Sequence, residues 1–376
     1  MNKALSTRVK RQAALPPEPE FASAAEPVWL TVDRSKTDSA VPLGTETGEH
    51  QAVRIYGTGD KPEPGIAKAG PITLTLSMSA RNAFTAVALH CLAQMQGNEA
   101  AAILGHDPEG VHQLRIGLRR LRALVAAYGD TITVECQKFL ARELSWLQQE
   151  LNAVRDWDVF VVSTLIPLKR NVPEIEGSLQ GAQDLRRLAQ QQAKDALQSP
   201  RYAALLLRCY IWLSTGRWAE ETAKLERPIG KFAARVLHRR DQRLRTFGGK
   251  RANLSDVDLH RLRILVKKQR YLADFFGGLY RRKTTADYKL GLSKLQDALG
   301  NRNDSVVTRR LLSELETSLK QIPANDPEVI SRGSGIVLGW QAVSCAGETD
   351  RIGDLWKDFR RHRIFWKHSA SLARLH

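Results

Sequence analysis

The chain is short of sulfur. It has four cysteines, Cys91, Cys136, Cys209 and Cys345, and three methionines in 376 residues. The cysteines are far apart and no two form a CxxC pair. That excludes a clustered zinc site and a disulfide-stapled scaffold, and leaves buried thiols in a reducing cytoplasm. Long apolar runs are missing too. No stretch approaches the ~18 uninterrupted apolar residues of a membrane span. The N-terminus is basic but has no apolar core, so it does not read as a secretory signal. These absences predict a cytoplasmic protein.

Catalytic signatures are also missing. Gly248-Gly249-Lys250-Arg251 lacks the spacing and the hydroxyl of a Walker loop. There is no HExxH, no GxSxG and no Rossmann glycine pattern. Two carboxylate pairs could be imagined as acid–base dyads or metal ligands, Glu18/Glu20 and Asp156/Asp158. The first lies in a stretch without periodicity. The second is not repeated where the sequence repeats itself, because Val306 stands in the place of Asp158. The expectation is a protein that is not an enzyme and holds no metal or cofactor.

What the chain has in excess is positive charge. It carries 57 Lys and Arg against 40 Asp and Glu, a net +17 with a pI near 9.9. Such an imbalance speaks to partners: nucleic acid, an anionic membrane or another polyanion. Residues 1–70 hold nine basic and nine acidic residues, so the whole excess lies beyond them. Residues 1–75 are rich in Pro, Gly, Ser, Thr and Glu and read as an extended or disordered arm, with short strand signals at 28–32 and 53–56.

From about Met78 the apolar residues recur at helical spacing, and no long alternating pattern follows. Breaks are expected at 106–110, 167–176, 199–200, 246–253 and 322–327. The predicted fold class is all-α. Trp146, Trp212, Trp340 and Trp356 sit in apolar helical patterns and are expected in the core.

The helical region repeats itself. Val111-His112-Gln113-Leu114-Arg115 with Arg119-Arg120-Leu121-Arg122 matches Leu259-His260-Arg261-Leu262-Arg263 with Lys267-Lys268-Gln269-Arg270, at an offset of 148 residues. Leu147-Gln148 with Arg155-Asp156 matches Leu295-Gln296 with Asn303-Asp304 at the same offset. Two motifs sharing one offset point to an internal duplication.

On a helix of 3.6 residues per turn, His112, Arg115, Arg119 and Arg122 fall within roughly an 80° stripe, and Arg120 points away from it. His260, Arg263, Lys267 and Arg270 form the equivalent stripe. Residues 111–122 and 259–270 contain no acidic residue, so neither stripe is neutralised along its own helix. Each stripe is about 15 Å long, which suits several consecutive phosphates better than one compact anion. Arg presents planar forks that match phosphate oxygens, and a polyanion would favour protonation of the His. The bland alternative is a solvated charged face. His238-Arg239-Arg240 and Arg360-Arg361-His362-Arg363 read as solvated helix ends that could extend the anion surface.

The phrase Asp107-Pro108-Glu109-Gly110-Val111-His112-Gln113-Leu114-Arg115, with Leu118-Arg119-Arg120-Leu121-Arg122, resembles the conserved histidine α-helical domain, CHAD. So do Leu259-His260-Arg261-Leu262-Arg263, Ala153-Val154-Arg155-Asp156-Trp157-Asp158 and Leu295-Gln296-Asp297-Ala298-Leu299-Gly300. The resemblance covers about residues 75–370. It implies two pseudo-twofold-related four-helix bundles, here 76–225 and 226–376. It implies a shared basic groove that binds inorganic polyphosphate, and association with polyphosphate granules. The matching positions are His112, Arg115, Arg119, Arg122, His260, Arg263, Lys267 and Arg270, with Arg120, Lys268 and Arg155 as additional candidates. Asn303 stands where Arg155 would repeat, so Arg155 is a weaker candidate. Asp156 and Asp304 are then expected to start helices, where an Asp accepts from exposed N–H groups.

The family's domain often follows a triphosphate-binding CYTH barrel. Only about 75 residues precede the helices here, too few for one. Asp33-Arg34-Ser35-Lys36 faintly resembles the end of such a barrel and is read as a remnant. Two other functions compete: an RNA- or DNA-binding protein, and a scaffold that docks a granule protein. Nucleic-acid readers usually add aromatic stacking platforms, and the stripes offer only Tyr271 at an edge.

Overall fold

The computed structural model describes residues 65–249, 255–321 and 327–366. All belong to the second of the chain's two units, Asp60–His376. The strand signals at 28–32 and 53–56, the remnant at 33–36 and the Glu18/Glu20 pair lie outside the described residues, as does most of the 1–75 arm.

The helices, in order, are α1 Ala80–Gln96, α2 Glu99–Leu104, α3 Pro108–Tyr128, α4 Val134–Phe160, α5 Ile166–Lys169, α6 Glu176–Leu197 and α7 Pro200–Thr215. There follow α8 Ala223–Glu226, α9 Ile229–Gly249, α10 Asp256–Phe276, α11 Arg282–Lys320, α12 Pro327–Ser344 and α13 Glu348–Arg361. Among the described residues there are two isolated β-bridges and no strand. The protein is all-α, as the periodicity predicts. Breaks that the sequence reading missed fall at Gly129, Gly216 and Gly347, each with positive φ. Glycine takes that conformation without the Cβ penalty other residues meet.

Local chemistry explains where the helices begin. Ser79, Asp107, Thr133, Ser199 and Ser255 each precede a helix, and their side chains accept from backbone N–H groups two or three residues on. Such caps satisfy donors that the helix itself leaves unpaired. Asp156 and Asp304 do not serve this way. Asp156 lies in the last turns of α4 and Asp304 deep inside α11. A carboxylate there has no exposed N–H groups to cap, so its role must be sought in what faces it.

The basic helices have clean inner faces. On α3, Val111, Leu114, Leu118, Leu121 and Leu124 are all buried. They recur every three or four residues, the spacing of one helical face. Leu259, Leu262, Val266 and Phe276 serve α10. Gly117 brings α1 close: a Cβ there would lie 2.8 Å from Met95 Cγ and 3.0 Å from the Cys91 carbonyl oxygen. The two basic helices also pack on each other, as do α4 and α11. The matched motifs therefore meet in space.

Cys91, Cys136 and Cys209 are buried free thiols, as expected, and Cys345 is half-buried. Trp212 and Trp356 are buried, Trp146 packs at the core margin, and Trp340 is not core: it is 38% exposed. Trp340 lies on the outer side of α12, beside the still more exposed Val343. The largest fully buried side chain is Trp218, stacked on Phe84 with ring centroids 3.9 Å apart. Trp218→Ala is expected to cost about 3–5 kcal/mol in chemical denaturation, the usual price of an aromatic cavity. A loss below about 1 kcal/mol would mean that α1 and the α7–α8 connection collapse onto the vacated space.

Candidate functional site

Five Lys and Arg side chains and one histidine, from three helices, meet around one cavity of about 220 Å³. From α3 come His112, Arg115 and Arg119; from α4, Arg155; from α10, Arg263 and Lys267. Two carboxylates complete the polar lining, Asp156 of α4 and Asp304 of α11. Val159, Phe160, Val307 and Leu311 form the apolar part, with Thr164 and Thr308 between. Thr164 sits in a wider π-helical turn, Val161–Leu165, that joins α4 to α5. Such turns re-aim side chains and often occur at functional sites. The equivalent stretch of α11, 148 residues on, is regular helix.

Most of these cations are poorly compensated. Arg115 donates to the Leu151 carbonyl and Arg119 Nε to the Arg115 carbonyl at 3.3 Å, so both are braced by backbone. Arg263 approaches Asp304 at 3.9 Å, while its own Nε is buried without a hydrogen-bond partner among the described residues. Asp156 is engaged from outside the cavity by Arg310, at 2.7 Å, which also holds Glu314. Each copy of the Asp of the repeated motif thus faces cations, rather than capping a helix. These countercharges went unrecognised in the sequence, although their shared offset was visible there.

Crowding of like charge at a half-buried site shifts proton affinities. His112 is pushed down to about 4, first by burial and then by Arg155, with Arg119 and Arg115 adding and Glu109 opposing. Lys267 is pushed down to about 7 by burial, then by Arg263 and Arg119, against Asp304. Burial and Arg119 bring even the Arg115 guanidinium down to about 10. Arg155 and Arg263 are lowered as well, mainly by burial. Asp156 is raised by burial, although Arg115 and Arg310 oppose it. The cavity holds its positive charge reluctantly, and anionic oxygens placed in it would relieve that cost.

Of the eight residues on the two stripes, five line the cavity: His112, Arg115, Arg119, Arg263 and Lys267. Arg155 joins them. The stripe ends fall outside, since a cavity of this volume cannot follow the whole ~15 Å of each. Arg122 is half-buried and donates to Gln148 of α4. His260 is exposed, and Arg270 is half-buried beyond the cavity. Arg120 is a structural residue, turned away from the stripe as helix geometry requires. It is buried, donates to Gln94 at 2.6 Å and lies 5.6 Å from the Phe275 ring centroid. Lys268 also lies outside the cavity, among guanidinium groups of α3 and α9. The Asp158 carboxylate, once a conceivable partner of Asp156 in acid–base work, is buried and held by Arg186 at 2.7 Å.

A larger, open depression of about 370 Å³ lies beside His362, lined partly by Lys294, Asp358 and Arg361. Arg361 is already paired with Asp358 at 3.2 Å, so the depression gathers no comparable charge. No group of three or more His, Cys, Asp or Glu among the described residues is placed to hold a metal ion, and no described helix is long and apolar enough to cross a membrane.

The fold and the cavity define an all-helical domain in which two basic helices share one cation-lined pocket. The CHAD domain model matches residues 86–313, and the chain belongs to that family. It is similar to the crystal structure of the CHAD domain from the plant Ricinus communis, with 32% identity and a TM-score of 0.66, over 80% of this chain and 97% of that one. It also shares its fold with PptA from Streptomyces chartreusis, at 15% identity and a TM-score of 0.56, over 74% of this chain and 100% of that one. No curated protein matches the sequence.

Proposed function

We propose that the chain is a non-enzymatic binder of inorganic polyphosphate, which it holds between α3 and α10. The observation that carries this reading is the meeting of five Lys and Arg side chains and His112, from three helices, around one cavity lined by only two carboxylates. A polyphosphate chain offers closely spaced anionic oxygens. It would pair with the guanidinium forks, release its counterions and relieve the mutual repulsion of Arg115, Arg119, Arg263 and Lys267. Association with polyphosphate granules follows from the same affinity.

The reading includes a duplicated architecture, two four-helix bundles at 76–225 and 226–376 related by a pseudo-twofold axis, each lending one basic helix. In its support, α3 and α10 begin 148 residues apart, at Pro108 and Asp256; so do α4 and α11, at Val134 and Arg282, and α7 and α13, at Pro200 and Glu348. Nucleic acid fits less well. The one aromatic residue lining the cavity, Phe160, is 2% exposed and offers no face on which a base could stack.

The test is competition. Purified protein is titrated with long-chain polyphosphate near physiological salt, then challenged with tRNA and single-stranded DNA at equal phosphate concentration. Polyphosphate is expected to win by tenfold or more, about 1.4 kcal/mol. Equal competition by nucleic acid would make the protein a general polyanion binder, and the assignment would fail.

A further inference from the structure

A second group of cations lies just beyond the cavity, on α3, α9 and α10. Lys268 of α10 is lowered by burial and then by Arg240, Arg122 and Arg243, with no carboxylate among the charges acting on it. Arg240 in turn is lowered by burial, Arg239 and Arg243. None of these five residues forms an ion pair among the described residues. Arg240 has a structural task, since it donates to the Ala126 carbonyl at 2.9 Å in the last turn of α3. A cation suits that position because the helix ends in unpaired carbonyls. The same bond fixes α9 against α3 and so brings Arg243, one turn further along, towards Lys268. Arg239 and Arg243 themselves are exposed, and neither forms a side-chain hydrogen bond or ion pair among the described residues.

The group is continuous with the cavity. Arg119 lines the cavity and Arg122 follows one turn later on α3; Lys267 lines it and Lys268 is the next residue of α10. From α3, no carboxylate interrupts the track between 111 and 122, and from α10 none between 259 and 270. On α9 the one nearby acid, Asp241, is buried, pairs with Arg245 at 2.8 Å and accepts from Tyr288 at 2.7 Å, so it is turned into the core. Five cations held together without an anion repel one another, and a polyanion passing over them would remove that cost.

We infer that this cluster is a second subsite for the same polyphosphate chain, gripping the segment that leaves the cavity beyond Arg119 and Lys267. The inference rests on the polyphosphate reading of the cavity. It adds α9, which lies outside both repeated basic motifs, to the binding surface. It also makes the protein a sensor of chain length. A short chain is held by the cavity alone, whereas a long chain reaches both sets of cations and releases more counterions.

The experiment compares tripolyphosphate with long-chain polyphosphate, using the full chain and the variant Arg239→Ala/Arg243→Ala. Both replaced residues are exposed, so the thermal midpoint should not move. The variant is expected to bind the long chain about tenfold more weakly, with the slope of log K against log salt reduced by about 2. Its affinity for tripolyphosphate should stay within about twofold. The charge reversal Arg243→Glu should deepen the long-chain loss and still spare tripolyphosphate. Unchanged long-chain affinity and slope in both variants would overturn the inference, as would equal losses for the two probes. Failure of the unaltered protein to bind either probe would instead overturn the cavity reading on which the inference stands.

Discussion

Replacing Arg119, Arg263 and Lys267 together by alanine is expected to weaken polyphosphate binding by at least about a hundredfold, while the thermal midpoint stays level or rises. The two effects have opposite signs for one reason. Beyond burial, Arg263 and Arg119 lower the proton affinity of Lys267, and Arg119 lowers that of Arg263, so the three repel in the free protein. Arg263 keeps a buried Nε without a partner among the described residues, and its approach to Asp304 is a long 3.9 Å. Removing the cations therefore removes cost from the free state and contacts from the bound state. Arg115 is deliberately left in place. It donates to the Leu151 carbonyl and so ties α3 to α4, and its loss would remove that brace. The slope of log K against log salt should fall by about 3, one for each lost phosphate contact. Binding titrations at several salt concentrations, beside a thermal melt, check both halves. Unchanged affinity would remove the cavity from the mechanism, and a sharp drop in the midpoint would make these residues structural.

The site was partly legible in the sequence because a helix converts spacing into direction. His112, Arg115 and Arg119 share a face at any helix of 3.6 residues per turn, and the acid-free stretch around them marks the face as uncompensated. Arg120 was placed off that face by the same arithmetic, and it proves to be buried against Gln94. What periodicity cannot give is the neighbour across the gap. Asp156 and Asp304 read as helix starts, because Asn303 breaks the repeat of Arg155 and an Asp can accept from exposed N–H groups. Only the packing of α4 and α11 against the basic helices shows that they face Arg115 and Arg263. For the same reason the two copies could not be ranked. His112 lies in the cavity while His260 is exposed, a difference that depends on where four helices converge and not on either motif. The π-helical turn beside Thr164 left no mark in the residue pattern at all.

Polyphosphate affinity is expected to fall as pH rises above about 7, and the single replacement Lys267→Arg is expected to abolish that fall. In the free protein Lys267 titrates near 7, so much of it is neutral just above that pH. The groups that set this value are Arg263 on its own helix and Arg119 and Arg115 on α3, opposed by Asp304 of α11. A bound polyanion reverses the balance and returns the amine towards the ordinary lysine value of about 10.4. Binding then takes up a proton, and log K falls with pH by at most about one unit per pH unit between the free and bound values. From pH 7 to 9 that amounts to as much as about a hundredfold. His112, pushed down to about 4, and Asp156, raised by burial, act in the same direction at acid pH: one gains positive charge and the other loses negative charge. Free-state stability runs the opposite way. Between about 7 and 10.4 the unfolded chain binds the Lys267 proton more tightly than the folded one, so stability rises with pH while affinity falls. Arginine keeps its charge throughout this range and should flatten the affinity profile. Calorimetric titrations at pH 6 to 9, in buffers of differing ionisation enthalpy, count the protons directly. A native profile as flat as that of the arginine variant would mean that Lys267 stays charged in the free protein, and that its neighbours crowd it less than their positions require.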